Sequence, residues 1–245
     1  MTFDPGGQNI CGISIGVLSL ESYFPKPPGH IKNPSSLPFT TTYEILHGIT
    51  VPKLLNSPSP DMVVPILEAA RRLEAQGVQA ITGSCGFLAL FQKEIAEAVS
   101  IPVFVSSLLQ VPLAYQMTRA PVGVLTASAA VLTDKHIEGA GAQGIPIVVQ
   151  GLEDTEEFAS VILRNERNGM DLAKVRHEVL TAGRRLIERA PDIGTIVLEC
   201  TDLPPYAHDL QRELKRPVFD LTTLATMMHD VVLRRSYSLL QRNAS

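Results

Sequence analysis

The sequence predicts an α/β protein of two similar lobes with mainly parallel sheets. Three observations predict it. Short apolar runs alternate with amphipathic stretches along most of the 245 residues, which is the pattern of repeated strand–helix units. Two copies of one local pattern lie 115 residues apart: Ala80-Ile81-Thr82-Gly83-Ser84-Cys85-Gly86-Phe87 and Thr195-Ile196-Val197-Leu198-Glu199-Cys200-Thr201-Asp202. The same tripeptide begins 17 residues beyond each cysteine, as Pro102-Val103-Phe104 and Pro217-Val218-Phe219. A fixed offset of this kind marks a duplicated unit.

The elements follow in order. Ile13 to Leu18 reads as the first strand. A Pro/Gly/Ser-rich segment runs from Glu21 to Pro38, and connections this long in compact domains are usually functional or mobile. Thr40 to Val51 contains a second strand. A helix is expected from Pro60 to Gln76, with Ser59 or Asp61 helping its start and Gly77 ending it. Next come a strand ending at Cys85, a helix over 88–99, a strand over Val103 to Val105 and a helix from Ser107 to Met117.

The second copy opens with Val122-Gly123-Val124-Leu125-Thr126, echoing Ile15-Gly16-Val17-Leu18-Ser19. A helix over 129–139 and a strand over 145–150 follow. Leu172 to Arg189 places Leu172, Val175, Val179, Leu186 and Ile187 at helical spacing. The Cys200 strand leads into a helix with Pro204 in its first turn, then a strand over 217–221 and a last helix over 222–240. Because a C-terminal helix can cross between lobes, the expected division is 1–117 plus 218–245 for the lobe carrying Cys85, and 118–217 for the lobe carrying Cys200. The first nine residues read as a short disordered tail.

Composition narrows the function classes. Hydrophobic residues make up 45% and charged residues 19%, enough apolar material for a sizeable core. A net charge of −4, with no basic run interleaved with aromatics, argues against nucleic acid and anionic membrane surfaces as partners. Apolar stretches are of strand length, so no membrane span is expected. The start of the chain does not read as a signal peptide. Three cysteines fit a reducing, cytoplasmic setting rather than a disulfide framework. Neither the cysteines nor His47, His136, His177, His208 and His229 show metal-site spacing, so no metal or cofactor is expected. The partner is a small molecule, and a homo-oligomer stays open.

In open α/β sheets, ligands bind beyond the C-terminal strand ends, where Cys85 and Cys200 both lie. Helix starts there supply N–H groups that stabilise a thiolate. Two lobes facing each other about a pseudo-twofold axis would put the thiols on either side of one cleft. A thiolate on one side can then remove a proton from carbon, and a thiol on the other can return one to the opposite face, inverting that carbon without a cofactor. Ser84, Gly86 and Thr201 would border a substrate carboxylate, with Thr126 and Ser128 as further hydroxyl donors. Asn33, with Ser35, would line the anion site if the long loop folds in. Its prolines otherwise only stiffen a connection.

Leu198-Glu199-Cys200-Thr201-Asp202-Leu203-Pro204 resembles the second cysteine motif of the aspartate/glutamate racemase superfamily, and Thr82-Gly83-Ser84-Cys85 sits where its first catalytic cysteine sits. Through the repeat the resemblance covers nearly the whole chain. It implies two Rossmann-like, flavodoxin-like lobes with the active site between them. The implied activity is cofactor-independent racemisation or epimerisation of a small carboxylic acid, amino acid or hydantoin-like substrate by Cys85 and Cys200. The superfamily also includes maleate isomerases and arylmalonate decarboxylases, so isomerisation or decarboxylation on the same fold is the alternative reading. A non-catalytic two-lobed binding protein is the third. Several positions depart from the racemase pattern. Asp202 stands where Glu or His is usual, Glu199 replaces a Gly, Gly86-Phe87 replaces Asn-Thr, and the first strand lacks an Asp-Ser-Gly start.

Several residues carry two readings. Asp202 is either a helix N-cap before Pro204 or a substrate or acid/base group. Glu199 either orients its neighbouring cysteine and raises its pKa by like-charge repulsion, or satisfies backbone groups. His30 is either part of a lid or a solvated loop histidine. Cys11 has no repeat partner and reads as incidental.

Overall fold

The computed structural model describes residue 8 and residues 10–234. The expected N-terminal tail, apart from residue 8, and the part of the last helix beyond 234 lie outside the described residues.

The apolar runs form two four-stranded parallel sheets. The first contains β1 (Ile15–Glu21), β2 (Thr41–Thr50), β3 (Ala80–Gly83) and β4 (Val103–Phe104), in the order β2-β1-β3-β4. The second contains β5 (Val122–Thr126), β6 (Ile147–Gly151), β7 (Thr195–Leu198) and β8 (Val218–Phe219), in the order β6-β5-β7-β8. The orders are equivalent and every pairing is parallel. The 115-residue echo is therefore structural: β3 matches β7, and β4 matches β8.

Amphipathic helices cover the sheets. Val63–Ala75 (α2) and Leu172–Arg189 (α6) bury one stripe each, Ile66, Ala69, Ala70 and Leu73 in the first and Val175, Val179, Ala182 and Leu186 in the second. One continuous apolar core runs through both lobes, joining Leu18 and Phe87 to Leu125, Phe158 and Leu198. The second sheet extends past the expected end at 217, because Val218 and Phe219 pair with β7. The chain then crosses back, and α8 (Leu221–Val232) packs on β3 and on the 3-10 turn Ser107–Gln110 of the first lobe.

Some elements differ from the expectation for local reasons. The helix over 88–99 begins as a 3-10 turn, Gly86–Phe91, and becomes α-helical only as α3 (Gln92–Ala98). The helix over 129–139 shrinks to α5 (Asp134–Gly139). Glu153 accepts hydrogen bonds from the Ala129 and Ala130 N–H groups and holds that stretch as a loop. A short helix, α1 (Val51–Asn56), was not expected, although Thr50 caps it and Pro52 lies in its first turn. Helices α4 (Val111–Thr118) and α7 (Ala207–Leu214) each follow a 3-10 turn, and α7 with its turn matches α3 with its own in the duplication.

Candidate active site

Both cysteines occupy equivalent places, just past the ends of β3 and β7. Cys85 is 9% exposed and Cys200 7% exposed, and both are free thiols. The backbone N–H two residues on, Phe87 for Cys85 and Asp202 for Cys200, pulls each thiol's pKa down. Phe87 and Asp202 are themselves repeat equivalents, so the duplication supplies the same amide donor but different side chains. Burial pushes both thiols well up from their ordinary pKa. Glu199 and Asp202 push Cys85 further in the same direction, while the Phe87 N–H and the Lys32 ammonium oppose them. For Cys200, Asp202 and Glu199 add to the burial, with Cys85 contributing as well. Glu199 and Asp202 thus act on both thiols.

Asp202 is not a helix cap. The 3-10 turn Pro204–Tyr206 starts after Leu203 without a side-chain cap. The Asp202 carboxylate instead accepts the Cys200 thiol at 3.5 Å on Oδ2 and the His30 ring at 2.9 Å on Oδ1. The Lys32 backbone N–H donates to His30 Nδ1 at 2.9 Å, so that nitrogen carries no proton and the ring donates from Nε2. His30 is 2% exposed, so it is not a solvated loop histidine.

The long loop closes over the site through backbone fit as well as charge. Gly29 has φ +102°, and a Cβ there would lie 2.7 Å from Pro205 Cα, so only glycine lets the loop rest on the Pro204-Pro205 turn. Lys32 reaches back to donate to the Leu20 carbonyl at 2.6 Å and to the Ser22 hydroxyl at 2.9 Å. Burial lowers the pKa of Lys32, while Asp202 and Cys85 raise it. Burial also brings the Lys26 ammonium down to about 8, aided by Lys32, and it sits 3.8 Å over the Phe24 ring.

Several expected substrate ligands have scaffold partners instead. The Thr126 hydroxyl donates to Glu199 Oε2 at 2.7 Å. The Thr201 hydroxyl crosses the seam to the Ser84 carbonyl at 2.6 Å. The Ser84 hydroxyl accepts the Leu20 N–H at 2.8 Å and keeps its own proton to donate. The Asn33 amide donates to the Lys26 carbonyl at 2.8 Å while its oxygen caps Ser35, so both ends serve the loop itself. Ser128 lies buried just beyond β5. Gly86 faces Glu199 across the seam, where a Cβ would lie 2.2 Å from Oε1 and 2.3 Å from the carbonyl oxygen.

Sequence reasoning missed Lys32 and Tyr206. Lys32 had one available signal, a basic residue two positions from His30 in a loop already singled out. Tyr206 carries a buried hydroxyl with no hydrogen-bond partner among the described residues, and burial, helped by Asp202, raises it to about 12. A groove of about 900 Å³ between the lobes, lined by residues such as Leu54, Val63, Phe91, Val131 and His136, contains neither cysteine. The Cys200 thiol lies instead beside Asp202, where His30 of the long loop docks.

Two parallel α/β lobes, each placing one thiol at an equivalent strand end, define a duplicated fold. The sequence profile of the Asp/Glu/hydantoin racemase family matches residues 33–228, and the chain belongs to that family. Among solved structures, a point mutant of arylmalonate decarboxylase superposes with a TM-score of 0.61 at 16% identity, over 92% of this chain and 97% of that one. A glutamate racemase from Francisella tularensis subsp. tularensis SCHU S4 gives a TM-score of 0.55 at 18% identity, over 92% and 84%. These likenesses are of fold. Among curated relatives, dimethylsulfoniopropionate lyase 5 of Emiliania huxleyi (strain CCMP1516) is 30% identical over 88% of this chain, and the match spans 45% of that protein. The lyase of Durusdinium sp. clade D is 30% identical over 86% of this chain and 72% of its own length. The chain thus spans about half the length of the first of these relatives.

The two-lobed fold and the family agree with the reading of the sequence. The expected isomerase class is not shown by these similarities; the lyases among the relatives back the alternative of isomerisation or decarboxylation on the same fold better than racemisation.

Proposed function

We propose that the chain is a cofactor-independent lyase of small carboxylic acids. In this reading a cysteine thiolate removes the proton α to a carboxylate, and a β-leaving group departs. The observation that carries the reading is the unequal pair of buried thiols in one site, on a chain about 30% identical to sulfonium-acid lyases. Cys85 is the base: it has the Phe87 N–H and the Lys32 ammonium to stabilise a thiolate. Cys200 is held as a thiol by donating to Asp202.

The step balances without an added reagent. Cys85 sulfur takes the α-proton, and the C–H electron pair becomes the new C=C bond. The β C–S bond breaks, and its electrons leave with a neutral dialkyl sulfide. An unsaturated carboxylate remains, and Cys85 then returns its proton to solvent. A sulfide leaving from a sulfonium needs no protonation, so one thiol suffices for the bond changes. Two of the three N–H groups of Lys32 are used in the loop, and the third can meet the substrate carboxylate.

Inversion at the α-carbon is the second reading. The Cys200 thiol favours it, since that thiol stands ready to return a proton from the other lobe. Proton NMR in D2O separates the two. Incubation with dimethylsulfoniopropionate should release dimethyl sulfide and propenoate, with loss of turnover in Cys85→Ser. A panel of chiral acids tests inversion beside it. Exchange or inversion of an amino acid or hydantoin, with no sulfide released, would overturn the lyase reading in favour of the racemase. Full turnover by Cys85→Ser would overturn the assigned base.

A further inference from the structure

We propose that Glu199 is a positioning residue that permits thiolate formation at the cysteine pair only while its own carboxyl group is neutral. The proposal rests on the reading of Cys85 and Cys200 as the reacting groups. Glu199 is 0% exposed and lies where the two lobes meet. Oε2 accepts the Thr126 hydroxyl, while Oε1 has no hydrogen-bond partner among the described residues and lies against the bare Cα of Gly86. A carboxylic acid tolerates that arrangement. A carboxylate there would be a buried anion with one oxygen unsolvated, which is expensive without a paired cation.

Among the described residues, the charged and titratable groups around it supply no such cation. From β5 and the loop after it come only the Thr126 hydroxyl and the Ala127 N–H. On its own segment stand Cys200 and Asp202, and from the other lobe Cys85. His30 is engaged by Asp202, and the Lys32 ammonium lies toward Asp202 and Cys85. Burial, with a smaller push from Asp202, brings the Glu199 carboxyl up to about 8 against the pull of Thr126 and Ala127. Below that pH a thiolate forms against the Asp202 charge alone. Above it a second negative charge faces both sulfurs. The repeat equivalent of Glu199 is Ser84, so this charge is particular to the second lobe.

The test reads the thiols directly and needs no substrate. The rates of iodoacetamide alkylation at Cys85 and Cys200 are followed by peptide mass spectrometry, from neutral to alkaline pH, in the wild type and in Glu199→Gln. One adjacent like charge moves a pKa by roughly one to three units. The variant should therefore alkylate at least roughly tenfold faster at pH values above about 8, and comparably below it. Superimposable profiles would overturn the proposal. Infrared spectroscopy of the wild type is the second measurement. A protonated-carboxyl band that is present at neutral pH and titrates away near pH 8 supports the proposal, and its absence at neutral pH overturns it. Divergent alkylation profiles in a protein that turns over neither sulfonium nor chiral acids would uphold the role of Glu199 and overturn the functional reading instead.

Discussion

Replacing Gly86 by alanine drives a methyl group from one lobe into the other. The new Cβ would lie 2.2 Å from Glu199 Oε1 and 2.3 Å from the Glu199 carbonyl oxygen, where real Cβ atoms essentially never come closer than 3.0 Å. The side-chain oxygen can swing away only by losing the Thr126 hydroxyl. The carbonyl belongs to backbone whose N–H is tied to Leu125 in the sheet. The seam must therefore open by at least 0.7 Å (3.0 − 2.3) against the backbone. Overpacking of this kind costs about 1–3 kcal/mol, and a lost hydrogen bond about 1 more. At roughly 2–4 °C per kcal/mol for a chain of this size, the melting temperature should fall by roughly 4–16 °C. Thermal melts followed by circular dichroism measure this. Gly169→Ala is the control, because a Cβ there meets nothing within 4 Å. That variant should keep or slightly raise stability. A Gly86→Ala protein melting with the wild type would refute the close approach of the lobes.

Other perturbations test other contacts. His30→Ala removes the buried link to Asp202 and should cost about 1.5–3 kcal/mol of loop closure; limited trypsin digestion should then cut after Lys32 faster than in the wild type. Thr126→Val strips Glu199 Oε2 of its donor, so stability should fall by about 1–3 kcal/mol in urea titrations and the Glu199 carboxyl should rise further in pKa. His136 is buried and neutral, its pKa lowered by burial from 6.5 to about 4. The unfolded chain therefore binds the extra proton first, and stability should be lost as pH falls from about 6.5 toward 4, by roughly 3 kcal/mol. His136→Gln should flatten that acid limb in urea midpoints measured across the range.

The duplication was legible because it is written in local pattern. The cysteine segments, the Pro-Val-Phe echoes and the first strands of each copy recur at fixed or nearly fixed spacing, and they map onto β3 with β7, β4 with β8 and β1 with β5. What stayed hidden depends on contacts distant in sequence. His30 and Asp202 are 172 residues apart, and nothing near either one announces the other. Thr126 and Thr201 carry the right hydroxyls for a substrate site, yet their partners are Glu199 and the Ser84 carbonyl. The shortened α5 depends on Glu153 reaching the Ala129 and Ala130 amides from a later loop. Local periodicity does not report such pairings. The helix start at Thr50 was readable but was masked by the apolar run that feeds β2.

The cross-lobe stitches decide how anything reaches the thiols. Ser107 and Thr201 bond backbone carbonyls of the opposite lobe, and Gln110 holds the backbone carbonyl of Asp220 at the start of the returning helix. Opening this frame like a clamshell would break all of these bonds. In the proposed reading, traffic passes where the 21–38 strap rests on the Pro204-Pro205 turn. The rate of entry and exit then belongs to the peeling of one short ribbon rather than to rotation of two bodies, and a tether across that ribbon would shut the site while leaving the frame untouched.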